Sequence, residues 1–297
     1  NATAYCNRGI ARKSKGDLQG ATVDYGKAIQ INPKYTHAYL QRGIIYCDHL
    51  GDNDRAIADF SRVIELDPKN ATAYCNRGIA RGNKGNREDA IADYRQALQL
   101  NPKYAGAYFG RGAFYCDILK DYDRAIADFS RVIELEPKND SAYYNRSLAR
   151  RKIGDLQGAI EDLSQLIQLN PRYTAAYLDR GAIYCDRLRD YDRAIADFSR
   201  VIELDPKNVT AYCSRSIAKR AKGDLQGAIG DCDRAIQINP KDAIPYSRRA
   251  ALRSAMGNLD AAIADYDMAI QINPKFAAAY YNRGQAFLSA KKYQQAL

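Results

Sequence analysis

Acid-base and nucleophilic catalysis needs imidazoles, thiols or hydroxyls brought together, and this sequence is poor in the first. His37 and His49 are the only histidines in 297 residues, and neither recurs at an equivalent place in the chain. No Ser-His-Asp or Cys-His arrangement is legible, and no glycine-rich phosphate loop is present. The cysteines Cys6, Cys47, Cys75, Cys116, Cys185, Cys213 and Cys232 form no close pair, whereas a zinc site is built from such pairs. Their odd number, with no basic start or apolar run of a signal peptide before them, fits reduced structural thiols in the cytoplasm. The sequence therefore predicts no enzyme, no metal and no cofactor.

Other groups do recur. Arginine returns as Arg8, Arg42, Arg77, Arg111, Arg146, Arg180, Arg215, Arg249 and Arg283. Aspartate returns as Asp24, Asp59, Asp93, Asp128, Asp162, Asp197, Asp231 and Asp265. Charges repeated in step do one job per repeat, and a part-buried Arg-carboxylate pair tying two helices together is the expected job. Asparagine stands two residues after a tyrosine at Asn7, Asn76, Asn145 and Asn282. Its amide carries a donor and an acceptor, so it can grip a peptide backbone without reading side chains.

The prolines show what must position these residues. Pro33, Pro68, Pro102, Pro137, Pro171, Pro206, Pro240 and Pro274 are spaced by 34 or 35 residues. They delimit repeats 2-35, 36-70, 71-104, 105-139, 140-173, 174-208, 209-242 and 243-276, with a partial ninth at 277-297, all in one array. In the first repeat Tyr5, Gly9 and Arg12 follow helical spacing, Lys15-Gly16-Asp17 interrupts it, and Ala21, Tyr25 and Ala28 resume it. That predicts a helix, a glycine turn and a second helix stopped by Asn32-Pro33. Small residues at Gly9, Gly43, Gly78 and Gly112, facing Ala21, Ala56, Ala90 and Ala125, predict close helix approach; Ala296 would end that alanine series. Repeats of 34 and 35 residues alternate, so DRAIADFSRVIEL stands unchanged at 54-66, 123-135 and 192-204.

These residues resemble the tetratricopeptide repeat (TPR) family, whose pattern alternates aromatic and small residues before a closing proline. The resemblance covers the whole chain. It implies an all-α helix-turn-helix solenoid, a right-handed superhelix whose first helices line a concave groove, and a scaffold that binds a peptide segment or partner protein. Phe109 and Tyr144, one residue after the recurring tyrosine, belong to a stripe that would floor this groove or pack between neighbouring first helices. The Asn set resembles the asparagine ladders of some TPR superhelices, but Gln41, Gly110, Asp179, Ser214 and Arg248 interrupt it. Asp48, Asp117 and Asp186, each one residue after a cysteine, stand on or near the same face in even repeats. The same polar residues equally suit a solvated helix surface. A terminal-carboxylate clamp of the co-chaperone kind is excluded, because the position of its first lysine holds Cys, Leu, Phe, Tyr or Ser.

The excess of 45 Lys and Arg over 35 Asp and Glu would suit nucleic acid if it were massed. It is banded instead: repeats one, three, five and seven are net basic, and two, four and six net acidic. Nucleic acid is therefore not the expected partner, although an RNA-binding helical repeat remains the lesser alternative. No apolar run approaches the ~18 residues of a membrane span. The chain starts at Asn1 without methionine, as a segment of something longer would, and a substrate-recruiting arm of a larger enzyme is the second alternative. Self-association is a further expectation, because the chain stops at Leu297 just inside the second helix of its last repeat.

Overall fold

The computed structural model describes residues 1–291. Ala296 and Leu297, with the self-association argued from them, lie outside the described residues. Seventeen α-helices follow one another, and no strand occurs among the described residues. The chain divides into two compact halves, Asn1–Asp155 and Leu156–Leu297, the division falling between the two helices of the fifth repeat.

In the N-terminal half the first helices of the repeats are α1 (Ala2–Ser14), α3 (Thr36–Asp48), α5 (Ala71–Asn83), α7 (Ala105–Phe114) and α9 (Asp140–Ile153). Between them run the second helices α2 (Leu18–Ile31), α4 (Asn53–Leu66), α6 (Arg87–Leu100) and α8 (Tyr122–Leu135). The C-terminal half continues with α10 (Leu156–Leu169), α11 (Thr174–Ile183), α12 (Tyr191–Leu204) and α13 (Val209–Ala221). It closes with α14 (Leu225–Ile238), α15 (Ala243–Ala255), α16 (Leu259–Ile272) and α17 (Ala277–Ser289).

Side chains fix where these helices start. Asn1, Asn70, Asn139 and Asn208 cap first helices of odd repeats, each Oδ1 accepting a backbone N–H of the first turn. Asp17, Asp52, Asp121, Asp190 and Asp224 do the same for second helices. Asn or an acid followed by proline ends the second helix, since proline offers no N–H to continue it.

Within a repeat, glycine brings the two helices together, though its partner differs from the one the pattern suggested. A Cβ placed on Gly9, Gly43 or Gly181 would lie 2.7, 2.7 or 2.8 Å from the ring of Tyr25, Phe60 or Phe198. In these repeats the closing aromatic, more than the alanine, occupies the space a side chain would take, whereas at Gly78 the nearest atom is the Ala90 carbonyl oxygen at 3.2 Å, as the pattern suggested. The alanines Ala21, Ala56, Ala90 and Ala125 are all fully buried beside the closing aromatic. Tyr25, Phe60 and Phe129 anchor the core of the N-terminal half, and Phe198, Leu163, Leu166 and Val201 that of the C-terminal half.

The extra residue of the 35-residue repeats has a definite place. Odd repeats leave the first helix through left-handed glycines such as Gly85 and Gly154. In repeats four and six the helix instead widens into a π turn, Tyr115–Leu119 and Tyr184–Leu188, and leaves through left-handed Lys120 (φ 56°) and Arg189 (φ 55°). Repeat two has Gly51 at the equivalent residue, with φ 65°. All three exits are closed alike, the N–H of Asp52, Asp121 and Asp190 donating to the carbonyls of Tyr46, Tyr115 and Tyr184 at 2.8 to 2.9 Å.

Candidate functional site

The recurring arginine and aspartate meet as pairs in repeats one to four and six to eight. Arg111 is typical: Nε donates to Asp128 Oδ2 at 2.8 Å and Nη2 to Oδ1 at 2.7 Å, a two-point grip across the helix pair. The same fork joins Arg8 to Asp24, Arg42 to Asp59, Arg77 to Asp93, Arg180 to Asp197, Arg215 to Asp231 and Arg249 to Asp265. Every aspartate in these pairs is buried. The remaining guanidinium nitrogen reaches back to the second helix of the preceding repeat, onto Ser61, Ser130, Ser164, Ser199, Asp233 and, from Arg283, Asp267. The recurring tyrosine lies under its arginine in all nine repeats, with ring centroids 5.1 to 5.8 Å from the guanidinium carbon. One arginine thus ties three helices together. The serine partner was readable as the residue after the closing aromatic, and the sequence reading missed it.

Several cations near the ends of the first helices are structural too. Arg12, Arg81, Lys219 and Arg253 give the buried aspartate a second cation at 2.7 to 3.0 Å. Tyr46, Tyr115 and Tyr184 take that place in repeats two, four and six; Tyr46 lies between Arg42 and Arg55, Tyr115 between Arg111 and Arg124, and Tyr184 against Arg193. Lys84 and Lys222 bridge back to Asp54 and Asp192 of the preceding repeat.

The residues marked from the sequence for ligand contact are distributed as follows. Asn7 is exposed, while Asn76, Asn145 and Asn282 are half-buried on their first helices. Asn145 Nδ2 donates to Ser141 O at 2.8 Å, which commits one of its donors to its own helix. Phe109 is half-buried and packs edge-on against Phe129, with ring centroids 5.6 Å apart, so part of the stripe serves the core. Tyr144 is half-buried. Asp48, Asp117 and Asp186 are exposed, Asp117 and Asp186 on the π turns and Asp48 at the end of α3. Of this set, Phe109 and Asp117 come together, lining one pocket of about 320 Å³ with Ile79, Asn83 and Tyr94.

Four pockets share one placement, where successive first helices meet. The pocket of Phe109 and Asp117 opens between α5 and α7. Another, of about 540 Å³, lies between α1 and α3 and includes Ile10, Lys13 and Gln41. Two more, of about 220 and 300 Å³, lie among α13, α15 and α17 and share Arg220, Ala251 and Asn282. The cysteines are free thiols, all but Cys116 buried. Burial pushes Cys47 and Cys75 up to about 12, which keeps them protonated and inert. No group of His, Cys, Asp and Glu suited to a metal ion occurs among the described residues, and no described helix is long and apolar enough to cross a membrane.

Comparison with known proteins agrees with this architecture. Residues 2–35 and 71–104 match a tetratricopeptide repeat model, as do 119–174 and 182–243 a second one, and 49–85 and 251–291 match a TPR repeat model. None of the curated proteins matches the sequence. Among solved structures, MamA is 28% identical over 59% of this chain and 94% of its own, with a TM-score of 0.54. YrrB, described as a TPR protein with an unusual peptide-binding site, is 25% identical over 63% of this chain and 95% of its own, with a TM-score of 0.53. PilF of Pseudomonas aeruginosa, at 18% identity, shares the fold over 73% of this chain and 97% of its own, with a TM-score of 0.58. The phased Tyr, Gly, Arg, Asp and Pro of the repeats, the helix pairs they build and the matching models place this chain in the tetratricopeptide repeat family.

Proposed function

We propose that the chain is a protein-interaction scaffold without chemistry of its own, taking a peptide segment of a partner along the faces of its first helices. The observation that carries this reading is the placement of the four pockets, each lined by neighbouring first helices. Peptide binding by YrrB, a relative in fold and sequence, supports it. Asn76 has the better claim to a backbone contact than Asn145, whose amide already serves Ser141. The buried free thiols suit a reducing compartment such as the cytoplasm.

The test is selection of a random peptide library on the purified chain, followed by affinity measurement of the selected peptides. Asn76→Ala is expected to weaken them while stability stays within about 0.5 kcal/mol, as for a side chain with no packing role. A library that yields no ligand would sink the reading.

A further inference from the structure

The helices α13, α15 and α17 carry seven cations: Arg215, Lys219, Arg220, Arg248, Arg249, Arg253 and Arg283. Five of them are bound to carboxylates: Arg215 and Lys219 to Asp231, Arg249 and Arg253 to Asp265, and Arg283 to Asp267. Arg220 and Arg248 form no ion pair among the described residues, and Arg248 donates only to the carbonyl of Cys213 at 3.3 Å. These two are also the arginines that line the pockets of this half.

The two pockets share Arg220, Ala251 and Asn282 and so form one groove. No acidic residue lines either part of it. Apolar side chains form part of its floor, Ile217, Ala251 and Leu252 in one part and Leu259 and Ala286 in the other, beside Ser216, Ser247, Gln285 and Ser289. Ser254 Oγ is buried in its wall, which Tyr266 also lines. Two guanidiniums facing one groove repel each other unless an anion lies between them, and their planar forks match a carboxylate. The position of Arg248 is occupied elsewhere by Asn7, Gln41, Asn76, Gly110, Asn145, Asp179, Ser214 and Asn282, so repeat eight alone places a cation there.

Resting on the scaffold reading, we infer that this groove selects an acidic peptide, seating the carboxylate of an internal Asp or Glu between Arg220 and Arg248 while Asn282 meets the peptide backbone. The apolar part of the floor takes the side chains that flank the acid. Because the groove continues on both sides of Asn282, the chain passes through and a free carboxyl terminus is not required.

The test uses the full chain and fluorescence anisotropy with a short leucine-flanked peptide holding one internal glutamate, both ends blocked. Its glutamine analogue and an oligouridine RNA are the comparison probes. The glutamate peptide is expected to bind about tenfold tighter than its analogue, the worth of one charge-assisted contact. The double variant Arg220→Gln/Arg248→Gln is expected to erase that difference with an unchanged melting curve, whereas exposed Arg187→Gln keeps it. Equal binding of the two peptides overturns the inference. So does a double variant that still discriminates, or RNA that displaces the peptide and binds more tightly. If neither peptide binds although library selection yields ligands, the inference falls and the scaffold reading stands.

Discussion

Asp93 accepts from Arg77 at 3.0 and 2.8 Å and from Arg81 at 2.7 Å, whereas Asp128 accepts from Arg111 alone. Asparagine in place of either keeps the shape and removes the charge, which strands two cations in the first case and one in the second. Unfolding in urea should therefore show Asp93→Asn losing nearer about 5 kcal/mol and Asp128→Asn nearer about 3 kcal/mol. Glu203→Gln, which breaks an exposed pair with Arg200, should cost no more than about 0.5 kcal/mol. Equal losses at Asp93 and Asp128 would mean that the second cation is idle. The pairs also differ in how they answer to pH. The hydrogen bond from Arg8 holds the Asp24 carboxyl below the ordinary carboxylate range, while burial outweighs Arg42 and lifts that of Asp59. A lowered folded pKa supplies stability that is present above the unfolded pKa and lost as pH falls through the folded value. A raised one makes the folded state hold its proton longer, so that stability declines as pH rises through the folded value. Wild type minus Asp24→Asn should thus gain stability with rising pH below the usual carboxylate pKa of about 4, and wild type minus Asp59→Asn should lose it above that value. Slopes of the same sign would contradict the two environments.

At the scale of the element, the exits from the first helices set the longer repeats apart. Lys120 and Arg189 hold the left-handed conformation that Gly51 holds in repeat two. A side chain there costs about 1 kcal/mol through the Cβ, partly offset because glycine adds freedom to the unfolded chain. Lys120→Gly and Arg189→Gly are expected to stabilise by about 0.5 kcal/mol each, and Gly51→Lys to destabilise by about 1 kcal/mol, read as shifts in urea midpoint. A destabilised Lys120→Gly would show that the lysine side chain earns its place by contacts. These exits also mark the limit of what the sequence makes legible. Proline spacing and the Tyr, Gly and Asp phase specify helix pairs, because each residue has a steric or hydrogen-bonding task that few others perform. An extra residue every second repeat says only that something lengthens; its resolution as a π turn depends on backbone bonding, to which Cys116, Asp117 and Ile118 give no compositional clue. The partner of Gly9 was misjudged for a related reason, since Ala21 and Tyr25 lie on the same helix face and only the packing decides which one fills the gap. For the ligand face, an interrupted Asn series looks the same whether it binds a peptide or water. The arginines of the groove were hidden among structural ones: the sequence shows Arg248 only as an interruption of the Asn series, and packing alone shows that Arg249 holds Asp233 and Asp265 while Arg248 has no carboxylate among the described residues.

At the scale of the molecule, the contacts that hold the chain run between sequence neighbours. Where a recurring arginine reaches beyond its own helix pair, as Arg77, Arg180, Arg215 and Arg249 do, it reaches the preceding repeat, and Lys84 with Asp54 and Lys222 with Asp192 span the same distance. Stability in such an array is a sum of repeat terms and nearest-neighbour terms, so damage should spread by coupling to adjacent repeats and fade with distance along the chain. Asp93→Asn offers the test, because its loss is concentrated between α5 and α6 while α4 and α7 share contacts with that pair. Native-state hydrogen exchange of the variant should show faster opening in α5 and α6, a smaller effect in α4 and α7, and unchanged rates in α15 and α16. A uniform rise that includes α15 and α16 would show the chain opening as one cooperative body, and the nearest-neighbour account would fail. Local opening would also bear on binding. A groove confined to α13, α15, α16 and α17 would keep its affinity for an acidic peptide in the Asp93→Asn chain, because the repeats that form it would remain closed.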